Sequence, residues 1–354
     1  MKKKFLAKVM VLALSASMFS VPAFANSEGD TTENRGEVTT ASEEPLPLPS
    51  PQEIAAMDKY DGRTYGIVTK PKDQEDSNLC WVFSTVAAAE TAILRSKIDP
   101  NANADNLWFN PYSAAYHIFN RNTDPLGNTN GAYTAGDFTK KTGNPSKVAT
   151  LFSAWWGPSS NKTANADPHE QAAYRLQNAF YIPEDKTEDG IKAVKEAIAK
   201  YGAVTFQYNN MKEMPFYNPQ YESGSSPHAC VIIGWDDTID ANQFKPASAK
   251  RNGGWLVKNS YASCEYFYLS YNNTSSVMWA FEYVPADEYD YNYYYDDNVD
   301  DFPLFNYKQV ANVYEAQKGG NGNTEYLKAV NIGVDKSAGG RSGDYTLEVE
   351  VYTG

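Results

Sequence analysis

Cysteine and histidine are scarce in this 354-residue chain, with three of each. Three thiols cannot build the disulfide framework that props up small secreted domains. A chain of this length does not need one. An odd count leaves at least one thiol free, so Cys80, Cys230 and Cys264 each merit a chemical reading. Positive charge is also short: 31 Lys and Arg stand against 44 Asp and Glu, for a net charge of −13. That deficit argues against nucleic acid or anionic lipid as the main partner. Beyond the first two dozen residues no apolar run is long enough to span a bilayer, so no transmembrane segment is expected.

What the chain does have is material for a core. It is 42% hydrophobic and 14% aromatic, and its length fits two domains after allowance for a leader. Lys2, Lys3, Lys4 and Lys8 form a basic start, Val9 to Val21 is apolar, and Ala23-Phe24-Ala25 has the small-x-small form of a cleavage site. Residues 1–25 are therefore expected to be a secretory signal peptide, which makes the mature protein extracellular. Residues 26–59 end in "EEPLPLPSP". Their Glu, Thr, Ser and Pro content reads as an acidic disordered leader, either a short pro-segment or a plain linker.

Residues 60–285 carry the first domain. Leu79 to Lys97 is apolar and Ala-rich without Gly or Pro, which predicts a buried helix. Asn110 to Arg121 predicts a second, with Pro111 in its first turn. Thr187 to Tyr201 predicts a third, stopped by Gly202. Residues 122–150 read as loop. After Gly202 the period changes, and strands are expected at Ala203 to Tyr208, Ala229 to Trp235, Trp255 to Asn259 and Tyr266 to Tyr271. Helices first and strands second imply an α+β fold with an antiparallel sheet. Residues 286–354 are a Tyr/Asp run followed by short strand-like segments between Gly and Asn. They read as the start of a β-sandwich, cut off at Gly354.

Cys80 opens the first helix, with Ser77 or Asn78 able to cap it. A thiol at a helix N-terminus feels unpaired amides, which lowers its pKa and makes it a candidate nucleophile. The competing reading is an inert buried cysteine. A thiolate nucleophile needs an imidazole. His117 lies mid-helix and His169 in a polar loop, where packing and surface roles suffice. His228 leads directly into the buried run "ACVIIGW", which would fix its ring. Asn259 ends another strand and can orient that ring without adding charge. Gln74, six residues before Cys80, can supply an amide N–H to an oxyanion alongside the Cys80 main-chain N–H.

With these residues in place, "KDQEDSNLCWVFS", "HACVIIGW", "WLVKNSY" and "YGAVTF" resemble the active-site segments of papain-like cysteine peptidases. The order Gln74, Cys80, His228, Asn259 is that family's, and the Cys-to-His interval falls in its range of roughly 130–150 residues. The resemblance covers about Tyr60 to Pro285. It implies a helical lobe packed on an antiparallel sheet lobe, with the cleft between them, and hydrolysis of protein or peptide substrates through an acyl-enzyme. No catalytic cofactor or metal is implied. Trp81 would pack beside the nucleophile, and Tyr261 stands where a Trp normally covers the His–Asn bond. Leu79 replaces a small residue, Asp76, Ser77 and Asn78 replace a Gly/Cys cluster, and Asp236 to Asn252 is an insertion. Cys230 and Cys264 read as packed small residues, with a disulfide between them as the alternative. "NPYSAAYHIFNRNTDPLGN" and the Tyr/Asp linker resemble bacterial surface peptidases that carry a lectin-like β-domain. That likeness implies a cell-surface glycan as partner and a structural calcium ion near Asp296 to Asp301, where a solvated acidic linker is the other reading. Two rivals stand against the peptidase: another Cys–His acyl-transfer enzyme, and an inert adhesin whose β-domain carries the function.

Overall fold

The computed structural model describes residues 5–7, 44–120, 136–153, 157–164, 172–182, 187–209, 214–220, 227–272, 276–288 and 349–351, with 313, 326, 327 and 330 as single positions. The chain divides into two units, Met1–Glu37 with Gly333–Gly354, and Val38–Ile332. Of the first unit, β1 (Phe5–Ala7) and β11 (Val349–Val351) are described, paired antiparallel with Leu6 opposite Glu350. The rest of the expected signal peptide, most of the expected β-domain, His169 and the stretch from Asp296 to Asp301 lie outside the described residues.

The second unit runs α1 (Pro51–Ala55), β2 (Lys59–Asp61), α2 (Cys80–Ser96), α3 (Pro111–Phe119), α4 (Pro145–Ser153), β3 (Tyr174–Ile182), α5 (Glu188–Tyr201), β4 (Val204–Asn209), β5 (Phe216–Asn218), β6 (Pro227–Asp236), β7 (Lys245–Pro246), β8 (Gly254–Lys258), β9 (Tyr266–Ser270) and β10 (Ser276–Pro285). The α+β expectation holds, and the helices and strands read from periodicity are present within a residue or two. Several elements exceed it, among them α4, β3 and β10. In α4, a proline opens a helix with Val148, Leu151 and Phe152 inward, inside a region read as loop. β3 and β10 pair with each other along most of their length.

Residues 44–59 are folded, not disordered. Ser50 accepts from the Glu53 N–H, and Glu53 returns the bond to the Ser50 N–H. This reciprocal cap satisfies two amides that a helix start otherwise leaves bare. Ile54 is fully buried, and Tyr60 of β2 pairs with Trp235 of β6. Pro-rich composition hid these contacts, because the anchors Leu48, Ile54 and Tyr60 are six residues apart, which is neither the helical nor the strand period.

The sheet order is β3-β10-β4-β6-β8-β9-β5-β7, with β2 also pairing β6. Strand β6 is therefore central, and all of its residues from His228 to Asp236 are buried. Alternate residues serve two cores. Ala229, Val231 and Ile233 join the cluster around α2, α3 and α4, while Cys230 and Ile232 join the one that includes α5, as does Trp235 beyond a register shift between Ile232 and Gly234. A side chain at Gly234 would meet the Tyr60 carbonyl at 2.1 Å, so only glycine lets β2 approach. Helix α2 is buried continuously from Trp81 to Leu94, as a helix surrounded on all sides must be. Gly202 closes α5 at φ 89°, a region other residues resist. The insertion after Asp236 packs a small core of its own from Ile239, Phe244 and Ala249.

Candidate active site

Cys80 is the first residue of α2. The helix N-cap is Leu79, and no side chain caps it. The expected caps are spent elsewhere or turned away: Asn78 donates its side-chain N–H to the Lys140 carbonyl and its main-chain N–H to Thr139. An uncapped start leaves helix amides available, and the N–H groups of Cys80 and Trp81 approach the Cys80 sulfur. So does the N–H of Ala229, the residue after His228. The sulfur thus sits between the first turn of α2 and the first residues of β6. Leu79, where the resemblance implied a smaller residue, is wholly buried.

His228 is buried, and its Nε2 lies 2.9 Å from Asn259 Oδ1. The tautomer follows from the neighbours. The Ser260 N–H donates to Asn259 Oδ1 at 2.8 Å, and Asn259 Nδ2 donates to the Cys264 carbonyl at 2.9 Å. The Asn259 oxygen therefore faces the imidazole, so Nε2 carries the proton and Nδ1 is left as the basic nitrogen. Tyr261 stacks on the ring at 5.3 Å between centroids, and Tyr208 meets it edge-on at 5.9 Å.

Gln74 is also buried, and both ends of its amide are held. Its Oε1 accepts from the Ser260 hydroxyl at 2.7 Å, and its Nε2 donates one proton to the Ser77 carbonyl at 2.8 Å. The Gln74 main-chain N–H donates to the Ser260 carbonyl at 2.9 Å. Glu75, next in sequence, has φ 52°, a left-handed conformation that turns the chain toward α2 at some cost. Trp81 is 2% exposed, packs edge-to-face on Phe119 and lies over Gly143, where a side chain would come within 2.8 Å of the ring.

All three cysteines are free, so the Cys230–Cys264 disulfide is not formed. Cys230 is buried with its sulfur 3.3 Å from Asn259 Oδ1. His117 is buried in α3, and burial pushes its pKa down to about 4, in line with a packing role.

No family model matches the chain. Cathepsin K of Gallus gallus is 25% identical over 210 residues, covering 57% of this chain and 54% of that protein. A solved structure of the clostridial cysteine protease Cwp84 after propeptide cleavage superposes with a TM-score of 0.51 at 18% identity, covering 65% of this chain and 59% of that one. The cysteine protease and lectin-like domains of Cwp84, a surface layer associated protein of Clostridium difficile, give 0.51 at 17% identity, covering 66% and 53%. The fold is papain-like. The chain spans a little over half the length of each of these relatives.

In the papain-like arrangement α2 belongs to the helical lobe and β8 to the sheet lobe, and a buried charge network joins them. Glu90 of α2, fully buried, bonds Lys72 Nζ at 2.5 Å, the Thr69 hydroxyl at 2.5 Å and the Phe109 N–H at 2.7 Å. Lys258, the residue before Asn259, donates to the same Thr69 hydroxyl at 2.9 Å. Burial pushes Lys258 down to about 7, against the pull of Glu90. Sequence reading missed this network, although a Glu inside an otherwise apolar helix was a visible signal. It also missed Ser260, whose hydroxyl holds the Gln74 amide.

The electrostatics differ from the sequence expectation at one point. Burial pushes the Cys80 thiol up, outweighing the Ala229, Trp81 and Cys80 amides that draw it down. Burial also pushes His228 down, opposed by Asn259. Each group, taken singly, is driven toward its neutral form. The helix-terminus effect expected for Cys80 is present but smaller than the desolvation.

Proposed function

We propose that the chain is a secreted cysteine endopeptidase in which Cys80 attacks a peptide carbonyl, His228 moves the protons and Asn259 orients His228. The observation that carries this reading is the 2.9 Å contact between Asn259 Oδ1 and the ring of His228, from which the ring's tautomer is inferred. Its Nε2–H is bonded to Asn259, and its unprotonated Nδ1 belongs to a ring whose neighbouring amide reaches the Cys80 sulfur.

The thiol proton passes to Nδ1 as the sulfur bonds to the carbonyl carbon. The carbonyl oxygen becomes an oxyanion, held by the Cys80 N–H and by the second Nε2 proton of Gln74, whose first is spent on Ser77. Collapse breaks the C–N bond, and His228 gives its proton to the leaving amine. Water then loses a proton to His228 and adds to the thioester, and breakdown returns the acid and the thiol. The pair carries the single mobile proton that the cycle needs. No metal enters these steps: EDTA is expected to leave turnover unchanged, while iodoacetamide abolishes it.

The leader composition of residues 1–25 supports export. The likeness to a protease with a lectin-like domain supports a cell-surface setting and a glycan partner for residues 286–354, with calcium binding near Asp296 to Asp301 as part of that reading. Intact mass after treatment with a peptidyl epoxide tests the core of the reading. One adduct on wild type and none on Cys80→Ala is expected. A folded wild type that takes up no label would favour the inert adhesin.

A further inference from the structure

Asn259 Oδ1 is a crowded acceptor. It takes the Ser260 N–H at 2.8 Å and the His228 Nε2–H at 2.9 Å, and the Cys230 thiol is a third donor at 3.3 Å. An amide oxygen has two lone pairs, so three donors must share them. Cys230 lies two residues beyond His228 on β6, and therefore on the same face of the strand. Opposite them on β4, Tyr208 pairs with His228 and Phe206 with Cys230. The Tyr208 hydroxyl is buried and approaches the Cys230 sulfur. Burial pushes the Cys230 thiol far up. Its proton therefore stays on sulfur, and the group acts as a donor rather than as a nucleophile.

We propose that Cys230 is a positioning residue for His228, its thiol competing for Asn259 Oδ1 and so setting how firmly that oxygen holds the imidazole. The proposal rests on the assignment of His228 as the base. A competing donor weakens the Nε2–H bond, and that bond stabilises the imidazolium more than the neutral ring. The thiol is a weak donor, so it holds the amide in place while leaving most of the acceptor to His228. The titratable groups around this point are Cys80 from α2, Tyr208 from β4, Cys264 from the turn before β9, and Tyr261. Burial and Asn259 are what shift His228 itself.

The test replaces the donor in opposite directions. Cys230→Val removes it at similar volume, and Cys230→Ser puts a stronger donor in its place. His228 is titrated by NMR of its ring carbons in the full chain carrying Cys80→Ala, so that the coupled thiol is absent. The His228 pKa is expected to rise in Cys230→Val and fall in Cys230→Ser, each by about half a pH unit, a fraction of one charged hydrogen bond. A pKa that stays put in both variants, or moves the same way in both, overturns the proposal. If one variant fails to fold, the sign in the other decides, and Cys230→Ala can stand in for valine. With Cys80 intact, the acid limb of kcat/KM should move with the NMR value. Opposite shifts in a protein that cleaves no peptide would uphold the positioning role while removing the peptidase reading.

Discussion

At the scale of single residues, the site depends on amides held from both ends. Gln74 is clamped by Ser260 and Ser77, and Asn259 by Ser260 and Cys264. On the proposed mechanism, Gln74→Ala removes one of two oxyanion donors. Its kcat is expected to fall by roughly 100-fold or more with KM little changed, as steady-state kinetics on a fluorogenic peptide would show. The pH profile follows from the two shifts. On the proposed mechanism, the reactive form holds one proton between Cys80 and His228. It is lost on the acid side when His228 protonates, which burial places below the ordinary 6.5. It is lost on the alkaline side when the last proton leaves, which the buried thiol places above 9.0. A kcat/KM plateau spanning that interval is expected, and an alkaline limb near neutrality would contradict it. Cys80, His228 and Asn259 stood out in the sequence as candidates because each begins or ends a strongly patterned segment. Ser260 was not. A serine beside an asparagine is unremarkable until the fold brings Gln74 against it.

At the scale of elements, the tie between α2 and β8 is the feature least visible in sequence. Glu90, Thr69, Lys72 and Lys258 come from distant stretches, and only the packing of the helix on the sheet makes them one cluster. Removing one partner of a buried ion cluster leaves the others uncompensated. Glu90→Ala is expected to cost about 3–5 kcal/mol in urea unfolding, and Lys258→Met much less. Lys258 also gives a signed pH effect. Its folded pKa of about 7 lies below the unfolded 10.5, so between these values the unfolded chain binds more protons. Stability should therefore rise with pH across that window in wild type, and the slope should be reduced in Lys258→Met. Helix α1 shows the opposite limit of sequence reading. The signal Ser50, Pro51, Glu53 was present locally, but the proline-rich surroundings argued for disorder. Ile54→Ala, at a fully buried position, should destabilise the chain by about 2–4 kcal/mol. A change near zero in thermal unfolding would mean that residues 44–59 are not part of the cooperative unit.

For the molecule as a whole, the α+β order of helices then strands was legible from the change of period at Gly202. The sheet order was not. Strands β3 and β10 flank regions whose composition masks them, and their pairing to each other decides the edge of the sheet. What the architecture accomplishes is convergence. One lobe presents a thiol at an uncapped helix start, and the other presents an imidazole whose proton is fixed by an amide. Rapid quenching of the chain with a peptide ester, followed by mass spectrometry of its proteolytic fragments, tests that convergence most directly. An acyl group on the fragment containing Cys80, absent in Cys80→Ala, is the predicted result. Acyl transfer to another residue, or peptide cleavage at an undiminished rate once Cys80 is replaced, would contradict it.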